Sequence, residues 1–207
     1  MSRTVPSSVK NPEKIRERRD QIIEAAVQLF REKGFHKTTT REIAKASGLS
    51  NGAVYEYVRS KEDILYLVCK RIHSSVEEQL RSRLSEHARG ATRLKHAMEA
   101  FFGVVELMKN DILLIYQESK SLPREFLREV LRDEEAVTKV FERLLVEGNA
   151  DGSLALAPES IPIMAQNIVV SGQMWAFRRW AFDGVAFEQF CSVQTAMLMQ
   201  ACGAVDA

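Results

Sequence analysis

The chain has 207 residues, 45% hydrophobic and 28% charged, which suits a small module joined to a larger domain and excludes the apolar-poor composition of a disordered chain. Its formal net charge is only +1, but residues 1–61 carry 13 Lys plus Arg against 7 Asp plus Glu, while residues 62–207 carry 16 against 21. A basic first third points to a nucleic-acid partner, since Lys and Arg neutralise phosphate, although a chance imbalance gives the same numbers. No run of about 18 apolar residues is present and the opening residues are polar, so a cytoplasmic protein is expected.

Prolines and glycines are few and no run alternates as a strand does, so an all-α fold of about nine helices is expected. Residues 1–13, with Pro6, Ser7, Ser8 and Pro12, read as a flexible basic leader. From 13 to 33, Ile23, Ala26, Val27 and Phe30 share one helical face that Gly34 closes. Thr39 with Glu42 has capping-box spacing for a second helix that Gly48 ends. Ser50 can cap a third helix over 51–57, and Ser60 with Asp63 starts a fourth reaching about Glu86. Further helices are expected near 91–109, 111–121, 124–148, 159–182 and 186–203, separated by Asn110-Asp111, Leu122-Pro123, residues 148–152 and Asp183-Gly184.

Two short helices joined by a tight turn cross closely, so they need a small residue at the crossing, a glycine in the turn and apolar plugs in the wedge. Ala44, Gly48, Leu49 and Val54 meet those needs at helix-turn-helix spacing, leaving the following helix free to enter a major groove. Around them stand Gly34-Phe35, Thr38-Thr39-Thr40-Arg41-Glu42-Ile43-Ala44, Ser47-Gly48-Leu49-Ser50-Asn51-Gly52, Val54-Tyr55-Glu56-Tyr57 and Ser60-Lys61-Glu62-Asp63-Ile64-Leu65. Over residues 18–66 this resembles the TetR family of transcriptional regulators.

The resemblance implies a DNA-binding domain over 14–66 and an effector-binding, dimerising domain over 67–207. It places Thr39 and Thr40 at phosphate and Arg41 at a base, often guanine. Ser50, Asn51, Gly52, Ala53 and Tyr55 fall on the recognition helix: Asn51 can bond a base, Gly52 lets the backbone approach, and Ala53 offers a methyl surface to thymine. Tyr55, Tyr57 and Lys61 are expected to hold phosphate and fix register. Glu56 departs from the common pattern: it can accept from cytosine N4, but is more often expected to turn away and pair with Arg59 or Lys61, and Val58 replaces a larger aromatic.

A helix-turn-helix monomer covers half a site, so a homodimer on a near-palindromic duplex operator is expected. The helix over 159–182 has one apolar face of Ile161, Ala165, Ile168, Gly172 and Trp175 and another of Ile163, Val170, Met174 and Phe177, so it must be covered twice. Ile161, Ala165, Ile168 and Gly172, with Phe187, Phe190, Met197 and Leu198 of the last helix, are taken as the dimer interface, which the resemblance implies is a four-helix bundle; filling of the subunit's own core is the other reading. The resemblance also implies an effector cavity, assigned to Met98, Phe102, Tyr116, Phe141, Asn167, Trp175 and Arg178, although a stripe of Met, Phe and Leu serves a plain core equally. With Glu118, Arg178 and Arg179 as its main charges, the effector is expected to be largely apolar, an acyl-CoA whose head group meets Arg178 and Arg179 being one candidate.

Catalytic residues, cofactor and metal are expected to be none. His73 with Glu77 has helical spacing but lacks a third ligand, and phosphate-binding or nucleophile motifs are missing. Cys69, Cys191 and Cys202 are widely spaced and read as small buried hydrophobes. The competing function is a helical protein-interaction module without DNA binding.

Overall fold

The computed structural model of the protein describes residues 5–84 and 90–204; residues 1–4 of the expected leader, Glu86 and His87 lie outside them. Among the described residues there are nine α-helices, three short 3-10 turns and no strand. They divide into two compact units, one running to His73 with Leu113–Arg132 added, the other comprising Ser74–Ile112 and Asp133 onward. The stretches 67–73 and 113–132 in the first unit fall within the range that the resemblance assigns to the second domain.

In the first unit α1 (Pro12–Lys33), α2 (Thr40–Ala46) and α3 (Asn51–Tyr57) pack on one another, followed by α4 (Lys61–Arg83), whose residues from Ser74 on belong to the second unit. Pro12 opens α1 under an Asn11 cap, the Thr39–Glu42 capping box is complete, and Ser50 accepts from the Ala53 amide at the start of α3. Gly48 has φ +71°, a left-handed turn that lets the Leu49 amide donate to Ala44 (2.9 Å) and so swings α3 sharply off α2. Ile22, Ala26, Ile43, Ala44 and Val54 fill the wedge, and Val58 is buried in it as well, so the smaller side chain is accommodated. The segment 5–11 differs from the expected loose leader: Val5 is buried and Ser7 and Ser8 are hydrogen-bonded to Glu56.

In the second unit α5 (Gly90–Leu107) packs against both α8 (Ile161–Phe177) and α9 (Phe187–Ala201). Between them run α6 (Lys109–Glu118) and α7 (Arg124–Ala150), each of which starts in one unit and ends in the other. Two expected helices end early. The sixth gives way to a 3-10 turn over Ser119–Ser121, since Leu122 precedes a proline and avoids helical angles. The eighth breaks at Arg178, and Arg179–Phe182 folds back as a 3-10 turn in which Phe182 stacks on Trp175 at 5.8 Å. Aromatic packing overrides helix propensity there.

Candidate nucleic-acid interface

Seven residues give α3 only two turns, and its sides differ completely. Val54 and Tyr57 are buried, while Asn51, Gly52, Tyr55 and Glu56 are exposed. Along α2, Thr39 and Arg41 are exposed and Thr40 half-buried, and the depression between α2 and the start of α3 is lined by Thr39, Arg41, Glu42, Ala44, Lys45, Leu49 and Asn51. Thr40 Oγ1 and the Tyr55 hydroxyl share a hydrogen bond of 3.1 Å, which sets two hydroxyls from different helices side by side. Ser50 is exposed and Ala53 half-buried, so every expected α2 and α3 residue but Tyr57 reaches this surface.

Charge on the surface is fixed locally. Glu42 faces solvent beside Arg41 and Lys45, yet hydrogen bonds from Lys33 and from Thr39 hold its carboxyl down to about 2. Its negative charge is thereby matched by Lys33. Lys45 escaped sequence reasoning, because an exposed lysine carries no pattern of its own.

Two expectations are corrected. Tyr57 is 3% exposed, its ring on the buried side of α3, and its carbonyl accepts from Arg19, so it serves packing instead of phosphate contact. Lys61 donates to the carbonyls of Phe35 (2.9 Å), Thr38 (2.9 Å) and, at 3.4 Å, His36, with its ammonium 4.2 Å from the Phe35 ring centroid. Its three donors are thus used inside the protein, bracing the turn between α1 and α2, and they are not left to Glu56. Lys61→Ala is therefore expected to lower stability by about 1–3 kcal/mol, through carbonyls that lose their donor, while the salt dependence of DNA binding stays as in the wild type. A salt slope reduced by about one unit, with unchanged melting, would return Lys61 to the phosphate contacts.

Glu118, expected to line an effector cavity, braces the same turn: its carboxylate accepts from the Phe35 amide at 3.1 Å, and Ser121 Oγ meets His36 Nε2 at 3.1 Å. Further along α4 and α7 the buried Tyr66 hydroxyl donates to Glu129 (2.7 Å) and its ring stacks on Phe126 at 4.3 Å. Neither bridge has a sequence signal, since the partners lie 60 to 85 residues apart.

The expected effector residues are not assembled around one surface. Met98, Phe102, Phe141 and Trp175 are fully buried among one another's neighbours, with Trp175 4.8 Å from Phe190 and Phe102 6.3 Å from it. Asn167 and Arg178 are exposed, and Tyr116, exposed as well, belongs to the first unit. Arg178 lies 4.9 Å over Trp180 and Arg179 4.5 Å over Trp175. Trp175 also donates its indole N–H to Glu106, whose carboxyl burial would raise but Lys109 and that indole bring below its ordinary range.

Of the expected dimer residues, Met197 stays exposed and the others are corrected. Ile161, Ala165, Ile168 and Gly172 face the subunit's own core, as do Phe190 and Leu198; Phe187 is half-buried against Trp175. The other face of α8 is the open one, with Ile163 65% and Val170 55% exposed, and on α9 Val193 and Met197 are exposed. Both faces of α8 are apolar, so hydropathy alone could not rank them.

Among the described residues no helix is long and apolar enough to cross a membrane, and no three His, Cys, Asp or Glu side chains gather as for a metal ion. Burial pushes the Cys69 thiol up to about 12 and that of Cys202 to about 11, as suits buried apolar side chains.

A family model described as bacterial regulatory proteins, tetR family, matches residues 22–66, and one described as tetracyclin repressor-like, C-terminal domain, matches residues 87–180. The chain is 33% identical over 180 residues to the HTH-type transcriptional regulator HbdR of Aromatoleum sp. (strain CIB), spanning 86% of this chain and 77% of that one. A bacterial regulatory protein in the tetR family from Rhodococcus RHA1 superposes with a TM-score of 0.79 at 25% identity, over 91% of this chain and 98% of that one. AibR, in complex with isovaleryl coenzyme A and operator DNA, shares the fold with a TM-score of 0.73 at 20% identity, over 88% of this chain and 98% of that one. With a helix-turn-helix presented on α2 and α3 and relatives matched along most of its length, the chain belongs to the TetR family of DNA-binding transcriptional regulators.

Proposed function

We propose that the protein is a dimeric repressor whose two recognition helices read successive major grooves of a palindromic operator and separate when an acyl-CoA-like effector binds. The observation that carries this reading is α3 itself: exposed along Asn51, Gly52, Tyr55 and Glu56, buried along Val54 and Tyr57, and adjoined by Arg41 on α2. In this reading Arg41 and Asn51 bond base edges, Gly52 and Ala53 allow close approach, and Thr39, Thr40, Ser50 and Tyr55 hold phosphates. The second copy docks through the open face of α8 with α9. An effector favouring a spacing unlike the ~34 Å between successive grooves lowers affinity for DNA.

An acyl-CoA suits the exposed Arg178 and Arg179, stacked on Trp180 and Trp175, where a phosphate group can accept charge-assisted hydrogen bonds. AibR, of the same fold, carries such a ligand together with operator DNA. One experiment tests both parts. A duplex selected by the wild type from a random pool should bind Arg41→Ala with a loss of about 1–3 kcal/mol, and palmitoyl-CoA or isovaleryl-CoA should release the wild type from it. Equal loss on random DNA makes Arg41 a phosphate contact; no release, with no change in melting, removes acyl-CoA.

A further inference from the structure

A two-turn helix is too short to hold its shape alone, so its ends decide how firmly it is presented. Ser50 secures the N-terminal end of α3 through the Ala53 amide (3.1 Å). At the C-terminal end, Val58 donates back to Val54, leaving the Glu56 and Tyr57 carbonyls without a partner in the helix. Both are met by groups from outside it. The Ser8 amide (2.9 Å) and the Ser7 hydroxyl (2.8 Å) donate to the Glu56 carbonyl, with the Ser8 hydroxyl at 3.2 Å. Arg19, on α1, donates from Nε (3.2 Å) and Nη2 (2.9 Å) to the Tyr57 carbonyl, and from the same Nη2 to the carbonyls of Val5 (2.6 Å) and, at 3.3 Å, Pro6.

The guanidinium is half-buried. Desolvation lowers its affinity for a proton, and the carboxylate of Asp63, which itself accepts from the Arg59 amide at the start of α4, works the other way. A cation at the C-terminal end of a helix also meets the negative end of its dipole. Val5, buried at 3% exposure, anchors the outer end of the segment.

We infer that residues 5–8 form a strap that Arg19 clamps over the C-terminal end of α3, making Arg19 a positioning residue that sets DNA affinity without touching DNA. The inference rests on the proposed reading of α3 as the recognition helix. Arg19 directs its donors at three carbonyls inside the unit, so its removal should loosen α3 and leave the number of phosphate contacts unchanged.

Hydrogen exchange and DNA binding are measured on the full chain as wild type, Arg19→Ala, Arg19→Lys, Ser7→Ala with Ser8→Ala, and a form lacking residues 1–8. In Arg19→Ala and the truncated form the last amides of α3 should exchange about tenfold faster while α8 and α9 stay protected, as expected for a lost cap. Arg19→Lys, which keeps the charge and one donor site, should recover part of that protection, and the double serine variant, which keeps the Ser8 amide, should show a smaller effect. On the duplex selected by the wild type, Arg19→Ala should bind about tenfold more weakly with an unchanged salt slope. Unaltered α3 exchange in both Arg19→Ala and the truncated form overturns the strap, and so does a salt slope reduced by about one unit in Arg19→Ala, which would make Arg19 a phosphate contact. Should the wild type select no duplex, the DNA-binding reading fails, and the exchange data alone decide the strap.

Discussion

Val170→Glu combined with Met197→Glu is expected to leave a monomer that binds the selected duplex on the order of 100-fold more weakly than the wild type, because two linked half-site contacts gain about 10²–10⁴ over one. Four large apolar side chains stand in solvent on the packed pair α8 and α9, namely Ile163, Val170, Val193 and Met197, each more than half exposed. Monomeric proteins seldom leave large apolar patches uncovered. Val170 and Met197 are exposed, so glutamates there charge the proposed docking surface and spare the core. Sedimentation analysis checks the first half of the expectation and titration of the labelled duplex the second. A double variant that remains dimeric would move the interface elsewhere.

On the opposite face of the same helix, Gly172→Val is expected to lower stability by roughly 3 kcal/mol and melting by roughly 6–12 °C. A side-chain carbon at Gly172 would come 2.6 Å from a Phe102 ring carbon and 2.8 Å from one of Phe101. Phe102 cannot step aside, being fully buried and packed toward Phe190, and Phe101 lies 5.6 Å from Phe141. The glycine is what lets α5 and α8 touch. Chemical denaturation of the variant checks the loss, and a stability equal to the wild type would mean that α5 and α8 are not so closely apposed.

Local signals carried the DNA-facing half of the molecule. The caps at Thr39 and Ser50, the turn at Gly48 and the wedge of Ala44 and Val54 are interactions within a few residues, so spacing alone exposes them. What spacing hid were contacts whose partners are backbone groups far along the chain. Lys61 resembles a surface lysine until the carbonyls of the α1–α2 turn surround it, and Glu118 resembles a pocket acid until the Phe35 amide meets it. Nor could a two-sided apolar helix say which side looks inward: Gly172 and Ile168 share a stripe as plausible for a partner as for Phe102. The close approach at Gly172 settles that choice, and no residue pattern encodes an interhelix distance. The effector set was hard to read for a related reason, since Met98, Phe102 and Phe141 are as suited to filling space as to lining it.

Burial of the sulfur atoms gives the folded state its own chemical signature. All three thiols are pushed up by burial, but Cys69 and Cys202 are enclosed and Cys191 half-accessible, so an alkylating reagent meets one cysteine per subunit ahead of the other two. Unfolding levels all three, so labelling stoichiometry becomes a gauge of how much native protein a preparation contains.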